Sequence, residues 1–224
     1  EIGMNLNLYG YKGKWIMIDL GIGFADSYYP GVEILLPDVQ FIAERKKDLL
    51  GIVLTHAHED HLGAVPYLWE ELQCPVYATP FTAAVLKAKL TDERSNLRIP
   101  VKEVHPGNKI QLGPFEFEMI PLTHSIPEMQ GIALRTDKGV VMHTGDWKLD
   151  PDPLVGPVTD EATLKRYGDE GVLAMVCDST NVYVDGESGS EAGVRDTLTK
   201  IIAECKNRVI VTTFASNIAR VETI

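Results

Sequence analysis

Cysteine is scarce. Three residues in 224, Cys74, Cys177 and Cys205, lie far apart and form no CxxC pair. That excludes a disulfide framework and a thiolate metal site, and it suits a reducing cytoplasm. Cys177 follows the apolar run Val172 to Val176 and reads as a small buried hydrophobe. No apolar run reaches the roughly 18 to 20 residues that span a bilayer, so no membrane partner is expected. Basic residues are also few: 21 Lys and Arg stand against 32 Asp and Glu, a net charge of −11. Nucleic-acid binders usually carry a basic face, so composition argues against a simple binding surface. It leaves room for a nuclease, because bound divalent cations offset carboxylates locally. A Gly-rich phosphate loop of the P-loop or dinucleotide type is missing, which argues against nucleotide-driven chemistry. The chain opens at Glu1-Ile2-Gly3, with neither Met nor a leader, and stops in a helical pattern after Ser216. Both features are expected of a piece of a longer protein.

What is present alternates apolar runs of strand length with helical spacing. Lys14 to Asp19 and Gly51 to Thr55 read as buried strands that end on polar residues. Leu62 to Leu72 reads as one helix, with Leu62, Val65, Leu68, Trp69 and Leu72 on one side. A short strand over Pro75 to Ala78 and a helix over Thr82 to Leu90 follow. Val101 to Val141 reads as an antiparallel meander with turns at Pro106-Gly107, Gly113-Pro114 and Asp137 to Gly139. Beyond it come a helix near Asp160 to Tyr167, a strand from Val172 to Asp178, a helix from about Glu191 to Lys206 and a strand from Arg208 to Thr213. This order suits an α/β fold of four layers, αββα, with helices outside two packed sheets.

Six histidines occur, and three of them fall in the run His56-Ala57-His58-Glu59-Asp60-His61. In extended chain, residues two apart point to one side, so His56 and His58 can meet one ion. Asp60 and His61 follow where the chain turns toward a helix, which swings a second donor pair close to the first. All four are suitable zinc donors, and the pairing suits a two-metal site. Manganese would accept the same donors. Further ligands must come from other loops, and His124 and Asp146 both follow strand-like runs. A carboxylate such as Asp146 can bridge two ions. His105, before Pro106-Gly107, reads as a turn residue, and His143 as a core residue or one that supports a ligand. Asp19, at a strand end, is a candidate orienter of a ligand histidine. Asp60 could also orient a water for attack while it ligates.

The pattern His56-x-His58-x-Asp60-His61 resembles the signature of the metallo-β-lactamase superfamily, which includes lactamases, thioesterases and nucleases. Several other segments narrow the likeness: Leu54 to Val65, His124 to Glu128, His143 to Asp150, Cys177 to Asn181 and Phe214 to Arg220. Together they resemble the bacterial ribonuclease J family, nucleases of the β-CASP group. In that group a second domain is inserted into the lactamase fold. The resemblance implies that His56, His58 and His124 hold one zinc, that Asp60 and His61 hold another, and that Asp146 bridges them. It implies a later histidine, beyond residue 224, to close the second site. It places the metallo-β-lactamase domain at 1–180 and the start of the inserted domain at 181–224, with Asp178 in an acidic motif and a catalytic candidate beside Asp60. The implied activity is 5′-to-3′ exonucleolytic, with endonuclease action beside it, on RNA bearing a 5′-monophosphate, in a homo-oligomer. Two other readings stay open: a small-molecule hydrolase of thioesters or lactams, and a metal-binding module without catalysis.

Overall fold

Strand side chains point alternately to two faces, and the fold follows from what each face meets. The computed structural model describes residues 3–92 and 96–224. The first half holds β1 (Asn7–Tyr11), β2 (Lys14–Ile18), β3 (Gly23–Phe24), β4 (Ile34–Leu35), α1 (Gln40–Ala43), β5 (Leu49–Val53), α2 (Glu59–Leu62), α3 (Val65–Leu72), β6 (Val76–Ala78), α4 (Pro80–Asp92) and β7 (Val101–Glu103). The second holds β8 (Lys109–Leu112), β9 (Phe115–Pro121), β10 (Gln130–Thr136), β11 (Gly139–His143), α5 (Glu161–Glu170), β12 (Val172–Val176), α6 (Glu191–Glu204) and α7 (Ile218–Thr223).

One sheet runs β1-β2-β5-β6-β7, parallel except for the β1/β2 hairpin. The other runs β12-β11-β10-β9-β8, antiparallel except for the β11/β12 pair. Ile16, Ile18 and Val53 of the first sheet face Phe117, Met119, Ile132 and Leu134 of the second, all buried. Their neighbours Met17 and Ile52 face the other way, onto Leu62, Val65, Leu68, Leu72 and Leu86 of the helices. Ile120, Ala133 and Met142 face α5 through Tyr167. Four layers result, and each fully buried Leu, Ile, Phe or Met contributes roughly 1.5–3 kcal/mol.

The details depart from the sequence expectation in four places. The stretch from Val101 is not all meander: β7 pairs parallel with β6 in the first sheet, and the meander starts at β8. Helix α4 between β6 and β7 is the crossover that a parallel pair requires. The helix expected over Leu62 to Leu72 is two helices. Pro66 has no N–H for the carbonyl of Leu62, and the N–H of Ala64 goes to Leu20 O at 3.0 Å instead. The run ending at Cys177 is not buried: Leu173 and Met175 are over 60% exposed on the edge strand β12, and Cys177 is exposed. Residues 208–213 form no strand, and Ile210 is 83% exposed. Among the described residues, no helix is long and apolar enough to cross a membrane.

Helix α5 is fixed to its sheet by one buried carboxylate. Glu118 accepts from Tyr167 Oη at 2.6 Å and from Arg166 Nη2 at 3.0 Å. Tyr167→Phe removes a donor from this buried group and is expected to destabilise the protein by about 1–3 kcal/mol. A fall in the urea midpoint measures this; an unchanged midpoint would show that Arg166 alone satisfies Glu118.

Candidate metal centre

The HAHEDH run sits where β5 ends and α2 begins. A helix of four residues has no stability of its own, and here its free carbonyls are taken by other backbone. Leu20 N donates to His61 O, Ile22 N to Glu59 O and Asn5 N to Asp60 O, at 2.7 to 3.0 Å. The fit is so close that a Cβ on Gly21 would lie 1.7 Å from Asp60 O. Only glycine allows the segment after β2 to lie against α2 this way.

Asp19 ends β2 with φ 62°, in the left-handed region that Asp tolerates better than most residues. Its fully buried carboxylate accepts from Thr55 N (2.8 Å), Thr55 Oγ1 (2.9 Å) and His61 Nδ1 (2.7 Å). Those contacts orient two rings. His61 donates from Nδ1 and thereby turns Nε2 toward Asp146 Oδ1, 3.2 Å away. Thr55 spends its proton on Asp19, so at 3.0 Å His56 Nδ1 must be the donor to Thr55 Oγ1, and His56 Nε2 is bare. His58 Nε2 faces Ser216 O, an acceptor, so its Nδ1 is bare as well.

The imidazole nitrogens converge. His56 Nε2 lies 3.0 Å from His58 Nδ1, and His58 Nδ1 lies 3.2 Å from His124 Nε2. The facing lone pairs of His56 and His58 repel unless a cation sits between them. A proton is a poor candidate. Burial, then the neighbouring imidazoles, push the His56 pKa well below its ordinary value. Burial likewise lowers His58, and it takes His124 down to about 4. The donor set therefore fits a metal ion. His56, His58, His124 and Asp146 can hold one, and Asp60, His61 and Asp146 a second, with all ligand atoms of each set within 4.8 Å of one another. Asp146 belongs to both sets. Its Oδ1 is 3.2 Å from His61 Nε2 and its Oδ2 is 3.8 Å from His124 Nε2. In the second set burial opposes charge on His61, but Asp19, Asp146 and Asp60 outweigh it and raise the imidazole pKa well above its usual value. Burial also opposes the charges of Asp60 and Asp146, and contact with His61 outweighs it and lowers both.

The remaining ligands arrive by tertiary contacts. Gly145, at φ +58° and wedged between Met129 and Thr55, turns the chain from β11 to Asp146. Lys148 N donates to Thr123 O at 3.0 Å, which sets the Asp146 loop beside His124. Glu128 Oε2 accepts from Phe81 N at 2.8 Å and ties the His124 loop to the start of α4.

The structure thus brings together His56, His58, Asp60, His61, His124 and Asp146, with Asp19 behind them. Asp178 stands on the wall of the same cavity, of about 340 Å³, with Asp60, His61 and Asp146. Its carboxylate accepts from Thr180 N at 2.8 Å, and its own N–H donates to Thr144 Oγ1. His143 is buried at the end of β11 against Tyr9 Oη (2.9 Å), as a supporting residue. His105 is an exposed turn residue. Asn5 is the residue that sequence reasoning missed. Its Nδ2 donates to Asp60 O at 3.0 Å and lies 3.1 Å from His61 Nε2. An isolated Asn some 55 positions before the motif carries no spacing signal.

A family model described as a β-lactamase superfamily domain matches residues 14–169. Ribonuclease J of Sinorhizobium meliloti is 49% identical over 228 residues, covering 100% of this chain and 40% of that protein. Ribonuclease J of Corynebacterium glutamicum is 42% identical over 99% of the chain and 31% of its own length. Ribonuclease J of Thermus thermophilus is 37% identical over 100% of the chain and 40% of its own length. The chain therefore spans 40% or less of these relatives. A crystal structure of a protein of unknown function from Enterococcus faecalis has a TM-score of 0.68 at 17% identity, covering 99% of this chain and 59% of its own; it supports the fold alone.

Two outcomes are expected. Asp19→Asn removes a charge that raises His61, so the His61 pKa falls in an NMR titration of the metal-free protein; an unmoved titration contradicts the arrangement. The metal-free protein also loses stability in acid. Folded His124 titrates near 4 rather than at its ordinary 6.5, so between those values the unfolded chain binds more protons and stability falls with pH. His56 and His58 act in the same sense and His61 in the opposite one. A melting temperature that rises from pH 6.5 to pH 4 would contradict this sign.

Proposed function

This chain belongs to the β-lactamase superfamily, and we propose that its two ligand sets serve a metal-dependent ribonuclease that hydrolyses RNA phosphodiesters in RNA maturation and decay. The observation that carries the reading is the pair of donor sets sharing Asp146. Relatives named Ribonuclease J, matching the chain end to end at 37–49% identity, favour RNA over a thioester or lactam and over a silent binding module. We assign 1–180 to the metallo-β-lactamase domain and 181–224 to the start of a β-CASP domain.

His56, His58, His124 and Asp146 would hold one ion, and Asp60, His61 and Asp146 the other. Zinc is the proposed metal, with manganese accepted by the same donors. When bound, such ions supply Lewis acidity and bring the pKa of water toward neutrality. The protein's own residues do the rest. Asp60, held ionised beside His61, accepts a hydrogen bond from the attacking water and orients it. Asp178, across the cavity, is assigned to proton transfer toward the leaving oxygen. Water adds at phosphorus, the P–O3′ bond breaks, and the proton ends on the departing 3′-oxygen. The proposed substrate is RNA with a 5′-monophosphate, degraded 5′ to 3′, with endonucleolytic cleavage as a second mode. A cytoplasmic homo-oligomer completes the proposal; the three free cysteines agree with a reducing compartment.

The metal-loaded full-length protein is expected to degrade 5′-monophosphorylated RNA, and its chelated form to leave the RNA intact. His58→Ala is expected to lower turnover more than the roughly 10- to 100-fold typical of losing a supporting partner. Turnover unchanged in that variant would overturn the assignment of the first set.

A further inference from the structure

Helix α7 lies far along the chain from the HAHEDH run, yet the turn that leads into it lies against a ligand of the metal centre. Ile218 packs against the main core cluster and Ala219 is 1% exposed. Ser216 O lies 3.4 Å from His58 Nε2, and Ala219 N donates to Ser125 O at 3.3 Å, next to the ligand His124. What holds α7 there is a row of charges. Arg220 Nη2 donates to Glu191 Oε2 at 3.2 Å, and Glu191 Oε1 accepts from Lys148 Nζ at 3.2 Å. Lys148 also pairs with the buried Asp150 at 3.1 Å, and Asp150 accepts from Glu191 N at 2.9 Å. The backbone of Lys148 bonds to Thr123, the neighbour of His124. The contacts therefore close a ring from His124 through Thr123, Lys148, Glu191 and Arg220 to Ser216 and His58.

We propose that Arg220 is a positioning residue for the His56/His58/His124/Asp146 set: anchored on Glu191, it holds Ser216 O against His58 and so keeps Nδ1 of that imidazole turned into the site. Among the described residues, Ser216 O is the acceptor that faces His58 Nε2. Its removal frees the ring to rotate and to place its proton on Nδ1, where it would block ligation. The side chains involved are mostly shielded, with Glu191 12%, Arg220 30% and Lys148 21% exposed, so salt screens the row only in part. The metal centre and the segment around α7 are thereby coupled: what displaces α7 weakens the first ion, and filling the first set steadies α7. The inference rests on that set holding a metal.

The test is a zinc titration against a chromophoric chelator, with wild type, Arg220→Ala, Arg220→Lys and Asn217→Ala. The last removes the side chain that caps α7 by accepting from Arg220 N at 2.9 Å, without touching a charge. Arg220→Ala and Asn217→Ala are expected to weaken the first ion by roughly 10- to 100-fold, with Arg220→Lys between them and wild type. The His58 Nε2–H resonance of the metal-free protein is expected to exchange faster in the first two. If Arg220→Ala does not fold, the other variants carry the test. Variants that hold zinc as tightly as wild type overturn this inference alone; a wild type that holds no zinc overturns the metal assignment with it.

Discussion

The buried carboxylate of Asp19 is the contact on which the site depends. It lies at the end of one strand, and it takes hydrogen bonds from the end of the next strand and from the helix that follows. A buried carboxylate is costly unless its oxygens are filled. Thr55 and His61 fill them, and in doing so they lose their freedom to point elsewhere. The orientation of His61 and the tautomer of His56 follow from that one group, and so do the directions in which their second nitrogens point. The chain accepts a left-handed Asp and an obligatory glycine at position 21 to make this approach.

The layers explain why the other ligands arrive. Strand β2 is parallel to β5, so Asp19 and Thr55 leave the first sheet on one edge. Gln130 N donates to Thr55 O at 3.0 Å and links the start of β10 to that edge. The ends of β9 and β11 in the second sheet therefore open beside it, and His124 and Asp146 follow them. Six donors from three loops meet because two sheets share a core. No single loop could supply them.

The fold was legible where one period governs a segment. Ile16 to Ile18 and Ile52-Val53 alternate between two cores, and the order of elements implied the four layers. His56 and His58 were legible because two residues apart in extended chain means one side. His124, Asp146 and Asp19 were visible as polar residues after apolar runs, though sequence could not show them converging. The misses have physical causes. β7 changed sheets because a helical crossover, not its own composition, decides its partner. Leu62 to Leu72 broke because Leu20 captured an amide that local spacing assigned to the helix. Asn5 reached the site through backbone pairing with Asp60, which leaves no trace in the pattern. Edge strand β12 is apolar yet exposed, since composition reports what could be buried and says nothing of what lies alongside.

The central claim is that Asp146 joins two donor sets into one centre. Metal content at equilibrium tests it most directly, by zinc titration of wild type and Asp146→Ala with the bound ions counted by mass spectrometry. The account predicts a tight ion and a weaker one in wild type, with both weakened in the variant. A wild type that binds no ion, or a variant that binds both as tightly as wild type, would contradict it.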